Sequence, residues 1–399
     1  MVTSSSNDSP PPGRGKSPGS ALSVLTSPAL MAPVSASFVF GTGLSLVVPL
    51  LAMVLERRGV SAGLIGLNSA MAGIAAIAAT PFAVPLARRL GTLRTIVTAI
   101  VVAAVSLLLF FPVQSLAVWF LLRISFHGSL TVIFCLSEFW ISGAAPPERR
   151  GLALGFYGTA LSLGFALGPA ILALAGSQGM APFWLGAGIM LATIVPIATA
   201  ARHQPVIAAE ARGSMVRILR LAPVATLAAF AFGAIDAGTI ALLPVFATRI
   251  GFDDTAIGLV ITALGLGFGV AQVPAGLMAD RVPKKALLLG AAVASALWAL
   301  AIPALGTSVP VLAGAMFLFG LVLSGLYTVG LAALASRFSG VDLGTANATF
   351  IMTYSVGMLL GPASMGQAID RFGPGAMFHV AAIAMALYAA LIVVRWRAE

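Results

Sequence analysis

The stretch ERRGVSAGLIGL at 56–67 recurs as TRIGFDDTAIGL at 248–259, an offset of 192 residues. FVFG at 38–41 recurs as FAFG at 230–233 with the same offset. Gly164, Gly168 and Pro169 recur 193 residues on as Gly357, Gly361 and Pro362. One offset kept along half the chain marks an internal duplication. Six apolar segments separate the copies, so both cross a bilayer in the same sense. The repeat is therefore parallel, with its axis along the membrane normal.

Those segments fall at about 29–54, 62–87, 95–112, 116–141, 151–175 and 182–201, then 221–248, 255–279, 286–305, 309–335, 343–368 and 376–394. Hydrophobic residues make up 59% of the chain and charged residues 9%, against about 25% charged in soluble domains. Apolar runs of about twenty residues exclude the ten-residue alternation of a membrane β-barrel. The expected fold is all-α membrane, with twelve transmembrane helices in two six-helix bundles at 28–201 and 221–395. Residues 1–27 are rich in Ser, Pro and Gly and are expected to form a disordered cytosolic tail; 202–220 is expected to be a cytoplasmic linker.

The net charge of +10 is not a nucleic-acid footprint, because the basic residues are spread over short loops. With a cytoplasmic N-terminus, seventeen Lys and Arg fall inside, and outside lie only Arg57, Arg58, Arg249 and Arg371. That bias predicts both termini in the cytoplasm of a multi-pass inner-membrane protein. It also puts Trp119 and Trp184 at the outer interface, and Trp140 and Trp396 at the inner one, as belts. The single Cys135 leaves no disulfide framework or thiolate cluster within one chain. No metal or other cofactor is expected.

The fourth segment, WFLLRISFHGSLTVIFCLSEFW at 119–140, carries Arg123, His127 and Glu138. At 100° per residue they project at about 0°, 40° and 60°, a narrow stripe on one face. A charge at the centre of a membrane helix costs about 2.5–3.5 kcal/mol on insertion scales, so this stripe needs water or protein partners. Asp236 lies near the middle of the seventh segment.

The repeat and its motifs resemble the major facilitator superfamily. GLMADRVPKK at 276–285 is similar to that family's Gly-x-Leu-x-Asp-Arg-x-Gly-Arg-Lys motif, with Pro283 at the second Gly. The matching first-half stretch is VPLARRLGTLR at 84–94, where Arg88 stands at the Asp position. The resemblance implies a cytoplasmic gate built from Gly276, Asp280, Arg281 and Lys284, with Arg88, Arg89 and Gly91 in the other half. Asp280 would meet the positive end of a neighbouring helix, whereas Arg88 would be repelled there. Gly164, Gly168 and Pro169, like Gly361 and Pro362, fit a helix-packing motif of small residues; they partly resemble the fifth-helix motif of superfamily antiporters. Residues 120–170 look most like the bacterial YcaD-like branch, through Arg123 and Glu138, the Glu-x-Trp step, ERRG at 148–151 and the Gly-x-x-x-Gly-Pro step.

In that fold helices 1, 4, 7 and 10 are implied to line a central cavity. This assigns to the substrate cavity Ser45, Arg123, His127, Asp236, Thr239 and Tyr327, with Gln272 from the eighth segment. Asp236 is the first candidate for proton coupling, followed by His127 and Glu138. Each has a structural alternative. For Asp236 and Arg123 it is a pair across the halves; for His127, packing alone; for Glu138, a gate contact with Arg88, Arg89 or Arg149. Arg123 suits an anionic or carbonyl group of a substrate as well as it suits a salt bridge.

The expected function is secondary active transport of a small organic solute by alternating access, proton-coupled, with import favoured over export and the chain working as a monomer. The alternatives are a proton-driven multidrug or metabolite efflux antiporter and, in another class, a non-transporting membrane sensor. The chain lacks a nucleophile triad and a soluble catalytic domain, so it does not read as an enzyme.

Overall fold

The computed structural model describes residues 27–144, 150–204, 213–305 and 308–396. Residues 1–26 of the expected tail, Arg149 and residues 205–212 of the central linker fall outside them. Twelve helices among the described residues are long and apolar enough to span a membrane. In chain order they are α1 (Pro28–Arg57), α2 (Ala62–Leu90), α3 (Thr92–Phe110), α4 (Leu116–Ala144), α5 (Arg150–Ala175) and α6 (Ala181–Thr199), followed by α7 (Pro223–Arg249), α8 (Asp254–Arg281), α9 (Lys284–Ala301), α10 (Val309–Ala335), α11 (Gly340–Phe372) and α12 (Ala376–Val394). Between α6 and α7 a short helix runs from Met215 to Leu221, where the sequence pattern gave only a linker. Ser214 starts it by accepting from the Arg217 amide.

Helix starts obey the duplication. Ser61 caps α2 through the Leu64 amide, and Asp253, 192 positions later, caps α8 through the Ala256 amide. The turn after each of these helices differs. Gly91 sits at φ +90° and joins α2 to α3 in one residue. At the matching position Pro283 fixes φ at −52° and Val282 is extended, so α8 stops earlier and the turn lengthens.

Within each half the packing is parallel too. α1 lies on α5 and α7 on α11; α2 lies on α4 and α8 on α10. Gly164 and Gly168 press on the α1 backbone at Phe38–Thr42 and Ser45–Leu46, and Gly357 and Gly361 press on the α7 backbone at Phe230–Ala234. A Cβ at any of these four would run into backbone, so the small residues set the helix spacing. The halves meet through α2 on α11, α5 on α8 and α1 on α7. α4 and α10 are not packed on one another.

The tryptophans correct the belt expectation in part. Trp184 and Trp396 are exposed, as belts require, but Trp119 and Trp140 are fully buried. Trp119 donates its indole N–H to the Val113 carbonyl at 2.8 Å, and the Arg58 guanidinium stacks over its ring. The bonded Trp119 indole does not need the interface, whereas the buried Trp140 Nε1 has no partner among the described residues.

Candidate functional site

The polar contacts between halves gather at one end of the bundle. Arg249 at the end of α7 forms a two-point pair with Glu56 at the end of α1, at 2.7 and 3.2 Å. Its repeat mate Arg57 pairs with Asp254 at the start of α8. Asp254 also accepts the Ser177 amide beyond α5, at 2.7 Å. Asp370, near the end of α11, accepts the first two amides of α2, from Ala62 at 2.9 Å and Gly63 at 2.7 Å. That carboxylate occupies the positive end of α2. Below it Gly66 meets the Pro362 carbonyl, and Gly73 meets the backbone from Ser355 to Leu359. We call this the sealed end.

At the opposite end Arg88, Arg89, Asp280 and Arg281 are exposed, and Gly276 has open space where a side chain would project. Asp280 takes part in none of the three ion pairs among the described residues. The expected latch of Asp280 on a neighbouring helix end is not among the contacts in this conformation. Glu138 is also exposed and enters none of these three ion pairs.

Between the two ends lie the ionisable residues. Counting 1.5 Å per residue from the sealed end, Arg123 is about 10 Å deep, His127 about 16 Å and Asp236 about 20 Å. This stagger accounts for the absence of the Arg123–Asp236 pair entertained from the sequence. Asp236 instead accepts the Tyr354 hydroxyl of α11 at 2.9 Å. Arg123 is fully buried and donates from Nη2 to Ser69 Oγ of α2 at 2.9 Å; Nε and Nη1 have no partner. His127 Nδ1 is 3.2 Å from the Arg123 carbonyl one turn back, so it is the donor of that ring, and the buried Nε2 is free. Thr239 Oγ1 is buried without a partner.

Aromatic rings flank this column on matched positions. Phe40 stacks on Phe134 at 4.4 Å in the first half, and Phe232 meets Tyr327 at 5.4 Å in the second. Phe232 also stacks on Tyr354, the ring that holds Asp236.

The structure thus brings Asp236, Tyr327 and Tyr354 together and sets Arg123 and His127 on adjacent turns. Ser45 and Gln272 are placed differently. The Ser45 hydroxyl is spent on the Gly164 carbonyl at the α1–α5 crossing. Gln272 is exposed and accepts from Thr328 at 2.6 Å on the α8–α10 seam. The sequence reading missed Ser69 and every carboxylate of the sealed end. A hint was available: Arg57 and Arg249 occupy equivalent repeat positions, and each has acidic residues close by in its own half, Glu56 and Asp253–Asp254.

The profile of the Major Facilitator Superfamily matches residues 34–253 and 225–399. The chain belongs to this superfamily. It is 25% identical over 345 residues to the uncharacterized transporter YfkF of Bacillus subtilis (strain 168), covering 85% of this chain and 88% of that one. A stretch of 137 residues is 29% identical to the uncharacterized transporter YE1530 of Yersinia enterocolitica, 34% of this chain and 35% of that one. The crystal structure of a mutant of the nucleoside transporter NupG superposes with TM-score 0.80 at 14% identity, covering 93% of this chain and all (100%) of that one. A bacterial homolog of the human lysosomal transporter Spinster, inward-facing and occupied, gives TM-score 0.73 at 14% identity over 96% and 98%. These likenesses establish the fold: twelve helices in the superfamily arrangement. The chain is a multi-pass membrane transporter of the secondary type, a family of transporters and not an enzyme class.

Proposed function

We propose that the chain carries a small organic solute across a bacterial inner membrane by rocking bundles 28–201 and 221–395 about a site at mid-depth. The observation that carries this reading is the one-sided closure. Ionic and glycine contacts gather at the end formed by residues 56–63, 249–258 and 366–370, while the charged residues of the opposite end form none of these inter-half pairs and α4 and α10 are not packed on one another. The positive-inside bias of the loops makes the sealed end periplasmic and the open end cytoplasmic, with both termini inside. The conformation is then the inward-facing one.

Asp236 is the proposed proton-coupling residue. Its carboxylate lies at the α7–α11 contact, held by Tyr354, where exchange of a proton changes a hydrogen bond between two helices of the moving half. His127 and Glu138 are secondary candidates. Arg123, His127, Asp236, Thr239 and Tyr327 are the proposed solute contacts, and Arg88, Arg89, Asp280, Arg281 and Lys284 the charges of the proposed cytoplasmic gate. Import as a monomer and membership of the YcaD-like branch complete the reading. The alternative is a proton-driven multidrug or metabolite efflux antiporter, in which solute leaves as protons enter.

Spin labels at matched pairs on each end of the bundle test the carrier reading. Distances across the sealed end should lengthen as those across the open end shorten when lipid, solute or pH is varied. Fixed distances at both ends under every condition refute rocking.

A further inference from the structure

Arg123 is fully buried, yet it enters none of the ion pairs among the described residues. A buried guanidinium without a counter-charge is strongly penalised unless something supplies one. Only Nη2 has a partner, the neutral hydroxyl of Ser69, while Nε and Nη1 are free. The nearest ionisable neighbour is His127, whose ring sits on the next turn and bonds the Arg123 carbonyl, so it brings no negative charge.

The duplication argues against a purely structural arginine. Residue 123 corresponds to Met316 on α10, which is fully buried in the same helix position of the other half. The fold therefore accommodates an apolar side chain there. His127 corresponds to Gly320, where α10 presses on the α8 backbone at Leu264 and Phe268. A Cβ added at Gly128 of α4, by contrast, would come no closer than 3.9 Å, to the Ala79 side chain of α2. The first half departs from the repeat by placing two polar side chains at that helix pair.

We propose that Arg123, oriented by Ser69, is the subsite for a carboxylate or comparable small anionic group, so that the transported solutes are organic anions. The inference rests on the carrier reading and names the substrate class for its site. Arginine presents a planar fork that fits a carboxylate, and its charge does not depend on pH in the working range. The solute anion completes the charge balance that the protein leaves open at this depth. With Asp236 carrying the proton about 10 Å deeper along the bundle, an anion and a proton travel together without net charge. The occluded state then buries no unpaired charge.

The test uses the full chain in lipid nanodiscs and follows its unfolding temperature. The probes are acetate, benzoate, succinate and phosphate, with acetamide and benzamide as neutral matches. At least one anion should stabilise the protein where the neutral probes do not. Arg123→Met, which copies the other half, should fold and lower that anion's affinity about tenfold or more. Should Arg123→Met fail to fold, Arg123→Lys carries the test, keeping the preference for anion over amide at reduced affinity. No stabilisation by any anion, equal stabilisation by acid and amide, or undiminished affinity in the variant overturns the proposal. Reciprocal distance changes in the spin-label experiment together with no anion effect discard this inference alone. Fixed distances discard the carrier reading beneath it.

Discussion

The two halves share a backbone plan and differ in what they place on it. Arg123, His127 and Glu138 of α4 correspond to Met316, Gly320 and Leu331 of α10, and Asp236 of α7 corresponds to Leu44 of α1. Every ionisable group of the proposed site thus has a non-ionisable counterpart in the other copy. Packing glycines behave the opposite way: Gly164 and Gly168 are matched by Gly357 and Gly361, and each pair presses on the backbone of the equivalent helix, α1 or α7. Symmetric residues hold the scaffold, and asymmetric ones are where a task has been added. The same rule explains the sealed end, where Arg57 and Arg249 are equivalent but reach different acids, Asp254 and Glu56.

The largest effect that would break this comparison is on Asp236. Asp236→Asn should abolish accumulation driven by a pH gradient in proteoliposomes while leaving solute exchange intact. Full pH-driven accumulation in the variant would return Asp236 to the scaffold. Next comes the close crossing of α8 and α10. Gly320→Ala places a methyl group against the Leu264 carbonyl and should destabilise by about 1–3 kcal/mol, seen as lost folded yield and a lower unfolding temperature. His127→Ala, at the matching position, should keep the yield. Equal losses at both sites would mean that the halves are packed alike there.

Smaller effects sharpen the account of the sealed end. Asp370→Asn keeps the shape but removes the charge from the start of α2, and should weaken the seal by about 0.3–1 kcal/mol. A distance distribution between labels on α2 and α11 should shift modestly towards separation. Glu56→Gln leaves Arg249 with a neutral partner; both side chains are partly exposed, at 13% and 28%. The expected change is about 0.2–1 kcal/mol, reduced further by salt. A larger response from Glu56 than from Asp370 would reverse the ranking of ion pair and helix cap.

Much of the architecture was legible because membrane helices announce themselves locally. A backbone crossing lipid has to satisfy its own polar groups, so twenty-residue apolar runs and a parallel repeat leave few alternatives. The α4 stripe was visible for the same reason, since 3.6 residues per turn align positions 123, 127 and 138. Ser45 shows where that logic stops. Its face was right for a cavity, but a glycine crossing brought the Gly164 carbonyl within reach and took up the hydroxyl. Trp119 and Trp140 mark a second limit, because a tryptophan near a helix end can serve a core as readily as an interface.

The sequence by itself determined the number of spans, their parallel pairing, the superfamily and the presence of costly polar groups within the membrane. Local hydrophobicity carries the spans and the polar groups within them, the constant repeat offset carries the parallel pairing, and the motif resemblance carries the superfamily. Only the tertiary structure decided which groups meet. Ser69 stands 54 positions from Arg123, Tyr354 stands 118 from Asp236 and Asp370 stands 308 from Ala62. Such contacts depend on the depth and rotation of separately threaded helices. These are set by glycine-to-backbone packing between helices, and no local pattern records them.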